Sequence, residues 1–389
     1  MFSNRTNWRL APNALTRAIE EVRASGQEIL DLTVSNPTEA GVQLDPEVVL
    51  GALVNPAAMR YEPQPRGLRS AREAVCHYYR ESHEVFDLDP DRLLLTTSTS
   101  EAYSYIFRLL CNPVDEILVP KPSYPLFEFL ADLADVKLVP YPLIYDHGWQ
   151  IDFDSLYKAA TSQSRAVVIV HPNNPTGSYA SAAETSALNA FCRDYGLALI
   201  VDEVFLDYAH DGVARPSFAG NTDALTFTLS GVSKISALPQ MKFAWLAASG
   251  PGEVVQQAGA RLEVIADTYL SMNAPVQLAA TVLLEQRKQV QPTLLDRLRV
   301  NLAELDRQLA GHPSCTRFLV EGGWYAVLRV PVLGSDEELA IDLVRKMAVI
   351  VHPGHFYDFA SEGHLVLSLI TEPEAFREGV ERLLQCVGT

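Results

Sequence analysis

Lys234 stands in "SGVSKISALPQMKFAWL" (residues 230–246), among serines and apolar residues, and Lys242 follows eight positions later. A lysine in that setting loses hydration, which lowers its pKa from the ordinary value of about 10.4. Its neutral amine can then attack an aldehyde. Four other stretches carry groups suited to the same chemistry. Asp202 closes the apolar run "ALIVD", where a carboxylate serves either as a helix cap or as the partner of a buried cation. Asn174 lies in "HPNNPTG", a proline-punctuated turn. Tyr124 in "KPSYP" offers an aromatic face. Ser98, Thr99 and Ser100 in "TSTSEA" can cap a helix or, with its first amides, hold an anion. Each signal is weak alone, and the combination is not.

These groups need elements to position them. Short apolar runs recur at "LLLTT", "EILVP", "VKLVPYP", "AVVIVH", "ALIVDEV" and "ALTFTLS", and helical stretches at 101–111, 123–134 and 181–195 separate several of them. That pattern predicts an α/β fold with a mostly parallel central sheet and helices on both faces. Ligands of such sheets sit outside the carboxyl ends of the strands, and the five groups follow five of these runs. Near the N-terminus, Leu15, Ala18, Ile19 and Val22 have helical spacing, with Gly26 placed to stop the helix. From about residue 275 the chain turns more helical, with "WYAVLRV", "AVIVH" and "LVLSLI" as later strands. This predicts a smaller α+β domain. The expected division is an N-terminal segment, 1–45, joining the small domain; a large domain, 46–285; and the small domain, 286–389.

Composition narrows the partners. The 389 residues are 48% apolar and 20% charged, with a net charge of −17. That disfavours nucleic acid or an anionic membrane as the main partner. The five cysteines (76, 111, 192, 315 and 386) show no metal spacing, so no metal site is expected, and they read as thiols in a reducing compartment. The start has no apolar signal core and no run reaches membrane-span length, so the expected location is cytoplasmic.

Pyridoxal phosphate (PLP) needs this set of groups: a lysine for its aldehyde, a carboxylate for its ring nitrogen, donors for its phosphate and a flat face against its ring. Lys234 would form the Schiff base and Asp202 would keep the pyridine nitrogen protonated. Asn174 would donate to the ring hydroxyl, Tyr124 would stack, and Ser98–Ser100 with Lys242 would hold the phosphate. The sequence resembles the fold-type-I PLP-dependent aminotransferases of class I/II. The matching pieces are "YEPQPRGLRSAREAV", "TSTSEA", "PKPSYPLF", "HPNNPTG", "VDEVF", "SGVSKISALPQMK" and "GGWYAVLRV…VHPG", in family order from about residue 30 to 370. The resemblance implies that Lys234 also shuttles the proton and that Ser230 or Ser233 assists with the phosphate. It matches Tyr61 to a tyrosine that reaches the phosphate of a neighbouring subunit, which implies a homodimer with shared active sites. It further implies cis bonds at Lys121–Pro122 and Asn174–Pro175.

Three departures from the family pattern matter. Phe205 stands where relatives place a tyrosine three residues after the aspartate. Lys242 stands where they place arginine, keeping the charge but losing the bidentate fork. Val366, in "HLVLSLIT", stands where they place the arginine that grips the substrate carboxylate. Three readings follow: another group holds the carboxylate, the substrate is an amine or carries its acid elsewhere, or the reaction differs. Arg329, two periods along a strand from Tyr325, and Arg66, near Tyr61, are replacement candidates, each also readable as a surface arginine. Ser35 and Tyr325 complete the substrate-side candidates. "TYLSMN" (268–273) carries no arginine for a second, distal carboxylate, which disfavours a dedicated dicarboxylate enzyme.

The resulting expectation is ping-pong transfer of an amino group from an amino acid or amine to an oxo-acid acceptor. The alternatives are a PLP-dependent lyase and a non-catalytic PLP-binding regulator. Borohydride treatment of the yellow holoprotein should fix the cofactor on the peptide containing Lys234. A label on any other lysine would reject the assignment.

Overall fold

The apolar runs become strands in the computed structural model, which describes residues 1–8, 10–125, 127–331 and 334–387. In chain order, the first strands are β1 (Leu30–Asp31), β2 (Leu93–Thr96), β3 (Glu116–Lys121), β4 (Lys137–Tyr145), β5 (Trp149–Ile151), β6 (Ser164–Val170) and β7 (Ala198–Asp202). They are followed by β8 (Thr226–Gly231), β9 (Ala244–Ser249), β10 (Thr316–Arg317), β11 (Tyr325–Arg329), β12 (Val349–Ile350), β13 (His352–Pro353) and β14 (His364–Ser368). Among the described residues, eight strands form one sheet in the order β2-β9-β8-β7-β6-β3-β4-β5. The pairs β3–β4, β3–β6, β6–β7 and β7–β8 are parallel. Every residue of β7, β8 and β9 is buried, as expected of strands covered on both faces.

Two strands depart from the parallel plan. β9 runs antiparallel to both β8 and β2, and β5 closes a hairpin with β4. The β9 geometry explains the opening stretch of sequence. An antiparallel neighbour needs no long crossover helix, so the chain returns from β8 to β9 through residues 232–243 at the sheet's carboxyl edge. That short return carries both Lys234 and Lys242.

A second sheet has the order β10-β11-β14-β13, with all of its pairs antiparallel. The helix Arg287–Leu309 lays Val290, Leu294, Leu298 and Leu305 into the same core as the apolar residues of β11 and β14. The helix Ala14–Ala24 adds Leu15, Ala18 and Val22 to that core, and β1 pairs with β12. The N-terminal segment therefore packs with the C-terminal part of the chain. Phe205, Tyr208 and Ala237, from the large-sheet region, belong to this core as well. The two sheets thus meet around the strand ends that carry the candidate residues.

Gly231 makes the return loop compatible with the sheet. A Cβ there would lie 2.9 Å from the Ala244 Cβ and 2.9 Å from the Phe243 carbonyl oxygen, contacts that neighbouring backbone cannot relieve. Gly231→Ala is expected to cost about 1–3 kcal/mol of stability through overpacking. Because Lys234 follows three residues later, the variant should also retain less PLP after dialysis. Wild-type melting and wild-type retention would contradict this account.

Candidate active site

Lys234 lies in the short helix Val232–Ile235 that follows Gly231. The Tyr208 hydroxyl donates to the Lys234 carbonyl at 2.7 Å and pins the turn. The lysine Nζ donates to the Ser35 carbonyl at 3.1 Å and sits 4.7 Å from the Trp324 ring centre and 5.6 Å from that of Phe205. Burial pushes the amine down to about 8, against the opposing pull of the Asp202 charge. Lys234 is therefore basic enough to take a proton and acidic enough to give one near neutrality.

Asp202 ends β7 and is 9% exposed. The Tyr103 hydroxyl donates to its Oδ2 at 3.3 Å and the Val204 amide donates to its Oδ1 at 3.2 Å. Burial pushes the carboxyl up to about 6, while the Val204 amide, Tyr103 and Lys234 favour the charged form. Between about pH 6 and 8 the two groups are thus a carboxylate and an ammonium.

The remaining candidates follow the ends of β2, β3, β6 and β8 in the same sheet. Asn174 is buried, and among the described residues its Oδ1 has no hydrogen-bond partner. A buried amide oxygen without a partner costs free energy that a bound ligand can recover. Lys121–Pro122 and Asn174–Pro175 are both cis, as is His171–Pro172. Tyr124 is 43% exposed, and burial followed by the nearby Asp202 charge raises its phenol. Ser98 caps the helix Thr99–Leu110 by accepting from the Glu101 amide at 3.1 Å. Its hydroxyl proton and the first helix amides still form a donor set for an anion. Glu101 carries the wrong charge for that role, but Thr97 and Ser271 donate to its carboxylate at 2.7–3.0 Å. Thr99, Ser100 and Ser233 are half-buried, whereas Lys242 is exposed in a left-handed conformation at φ 52°. Ser230 is buried and donates to the Glu203 carbonyl at 3.4 Å.

On the substrate side, Ser35 and Tyr325 are brought toward Lys234: the Ser35 carbonyl accepts from the lysine, and the Tyr325 phenol, raised by burial, is lowered in part by the nearby Ser35 side chain. The two arginines stand apart from this group. Arg329 is exposed at the end of β11, opposite His364, while Tyr325 lies at the other end opposite Ser368. Period two placed them on one face, but it does not reveal depth along the strand. Arg66 is tied to Glu263 at 2.8 Å and to the Asp91 carbonyl. Tyr61 is 78% exposed on the rim of a cleft shared with Ser271, Met272 and Asn273. Sequence reasoning missed Tyr103, Tyr208 and Trp324. Tyr103 was within reach, since it lies one helical turn beyond Thr99 and hence on the same face. The other two are aromatic residues in apolar stretches and carry no local sign of their contacts.

The residue set fits PLP: a low-pKa lysine, a buried acid, an unpartnered amide oxygen able to accept the proton of the ring hydroxyl, and a helix N-terminus able to hold the phosphate. Fold and site together define a fold-type-I PLP enzyme. The family described as aminotransferase class I and II matches residues 6–383, and the chain belongs to it. The chain is 27% identical over 366 residues to a glutamate-pyruvate aminotransferase of Haemophilus influenzae, covering 92% of this chain and 90% of that one. It is 28% identical over 386 residues to an LL-diaminopimelate aminotransferase of Moorella thermoacetica, covering 96% and 95% of the two chains. Among solved structures, an alanine aminotransferase from Pyrococcus furiosus superposes with a TM-score of 0.89 at 23% identity, over 100% of both chains.

The Tyr103 bond favours ionised Asp202, so Tyr103→Phe should raise the pKa of that carboxyl further. Acidification should then release PLP from the variant at a higher pH than from the wild type, read from the cofactor absorbance after gel filtration. An unchanged acid limb would show that the bond is not felt.

Proposed function

We propose that this aminotransferase moves an amino group from an α-amino acid to a 2-oxo acid by a ping-pong mechanism. The observation that carries this reading is the placement of half-buried Lys234 and buried Asp202 together at the carboxyl edge of the sheet, with each pKa displaced toward neutrality. The names of the relatives, glutamate-pyruvate and LL-diaminopimelate aminotransferases, support amino acids over simple amines.

In this reading, PLP supplies an aldehyde for the incoming amino group and a pyridinium ring that takes up the electron pair left at the substrate Cα. The chain's own groups do the rest. Asp202 keeps a negative charge beside the ring nitrogen, so the proton there is retained. Asn174 offers its amide to the ring hydroxyl, and Phe205, lacking a phenol, leaves that bond to Asn174. Ser98, Thr99, Ser100, Ser233 and Lys242 would hold the phosphate, and Tyr124 would stack on the ring. Lys234, freed by the donor, removes the Cα proton as an amine and returns it to a different carbon as an ammonium. With water supplying the oxygen, the donor carbon is oxidised to a carbonyl and leaves as an oxo acid, while the nitrogen and the electron pair stay with PLP. A second oxo acid then takes the nitrogen, with its carbonyl carbon reduced by the reverse steps. Trp324 and Phe205 cover Lys234 and limit water around the amine.

We also place the enzyme in a homodimer, with Tyr61 of each subunit serving the partner's phosphate. Its exposed position on a cleft rim supports this assignment. Among the described residues, Cys76, Cys111, Cys192 and Cys315 form no disulfide, which agrees with a reducing, cytoplasmic setting.

Alanine or glutamate added to the holoenzyme should convert the aldehyde-form absorbance to the amine form, with one oxo acid released per site and no ammonia. Ammonia release would instead identify a lyase. Asp202→Asn should lower kcat by about a hundredfold or more, and near-wild-type turnover would reduce Asp202 to a cap.

A further inference from the structure

The small sheet turns one face toward Lys234. Tyr325, Val327 and Arg329 share a face of β11, and directly opposite lie Ser368, Val366 and His364 of β14. β13 places His352 opposite Val366. Tyr325 and Ser368 occupy the end of this face nearest the catalytic lysine, since Ser368 donates to the Val34 carbonyl, one residue before the Ser35 carbonyl that accepts from Lys234. Next along the face come Val327 and Val366, 2% and 1% exposed, which offer no charge. Polar character resumes at His352, whose Nδ1 shares a 2.9 Å hydrogen bond with the Tyr357 hydroxyl.

Tyr357 is tied to the site through its backbone and its surroundings. Its carbonyl accepts from the Ser123 amide at 3.0 Å, which ties it to the loop carrying Tyr124. Its phenol is raised by burial and then by the neighbouring phenols of Tyr325 and Tyr124. Tyr124, in turn, feels the Asp202 charge. The Ser123 bond and the β13–β14 register thus place Tyr357 between the loop that carries Tyr124 and the face that carries Val366.

We infer that the Tyr357 hydroxyl, backed by the His352 imidazole, receives the carboxylate of the amino or oxo acid in place of a fixed guanidinium. This rests on the amino-acid reading above. A buried imidazole–phenol pair suits the task because its shared proton can reverse. With the imidazole neutral, Tyr357 donates to His352 Nδ1. When a carboxylate arrives, the phenol turns its proton to the anion, and Nδ1 takes one proton from solvent and donates it to the phenol oxygen. The chain gains one positive charge where the ligand brings one negative charge. Tyr357 is the binding group and His352 a positioning residue.

The groups around His352 permit this. Burial lowers its pKa, against the Asp31 carboxylate. Thr33 donates to that carboxylate through both its amide and its hydroxyl. Asp336, on the helix packed against β13, is occupied by the Gly363 and His364 amides. Beyond the turn, Asp358 is paired with Lys121 at 3.0 Å. Carboxylate binding should therefore raise the imidazole pKa, and affinity should fall as pH rises through the bound-state value. A guanidinium, always charged, would add no such dependence.

The test uses the holoenzyme and propionate, an unreactive carboxylate, with binding measured by calorimetry in buffers of different ionisation enthalpy. Wild type should take up protons on binding. Tyr357→Phe should lose about tenfold in affinity, with a matching rise in the KM for the amino acid and a smaller change in kcat. His352→Asn should lose the part of the proton uptake and pH slope that the imidazole supplies. Unchanged propionate affinity in Tyr357→Phe overturns the inference, as does unchanged proton uptake in His352→Asn. If Tyr357→Phe fails to hold PLP, the His352→Asn comparison decides alone. If the wild type binds propionate but no amino acid reacts, the proposed function fails instead.

Discussion

Placing an acid and an amine within reach of each other's charge, where water is scarce, constrains the rest of this molecule. Asp202 and Lys234 each lose hydration, and each shifts toward its neutral form. Their mutual attraction offsets only part of that loss. The surroundings supply the remainder as oriented dipoles: the Val204 amide and Tyr103 hydroxyl on the acid, and the Ser35 carbonyl on the amine. Such a site is held in place by the fold around it, and its free-energy cost is recovered when a ligand accepts the same dipoles.

The fold meets this constraint by assembling the site from distant parts of the chain. The large sheet delivers Asp202 and Lys234 from two adjacent strand ends, 32 residues apart, through the β7–β8 parallel pair and the short β8–β9 return. The N-terminal segment contributes Ser35, and the small sheet contributes Trp324 and Tyr325. The lysine thus lies against groups from both cores. A change in how the two cores pack would alter the hydration of the amine directly, and with it the proton transfer.

Much of this was legible in the sequence. Continuous apolar runs announced the buried strands, and their carboxyl ends located Asp202, Asn174 and Lys234, because burial on both faces leaves little polar signal except at the ends. β9, which follows Lys242 almost directly, was not among the predicted strands, and nothing local distinguishes an antiparallel neighbour from a parallel one. β5, three residues long, fell below any periodicity. Arg329 was read onto the right face, but the exposure of a strand end depends on what packs beyond it. The pairing of His352 with Tyr357 was invisible for a related reason: it requires the β13–β14 register and the turn that follows.

The most direct test of this account is a titration of Lys234 itself. In cofactor-free protein whose lysines carry a ¹³C label next to Nζ, one resonance, assigned by its absence in Lys234→Ala, should titrate near pH 8. It should move lower in Asp202→Asn, where the charge that holds it up is gone. A Lys234 resonance that titrates near the ordinary lysine value of about 10.4, with or without Asp202, would contradict the account.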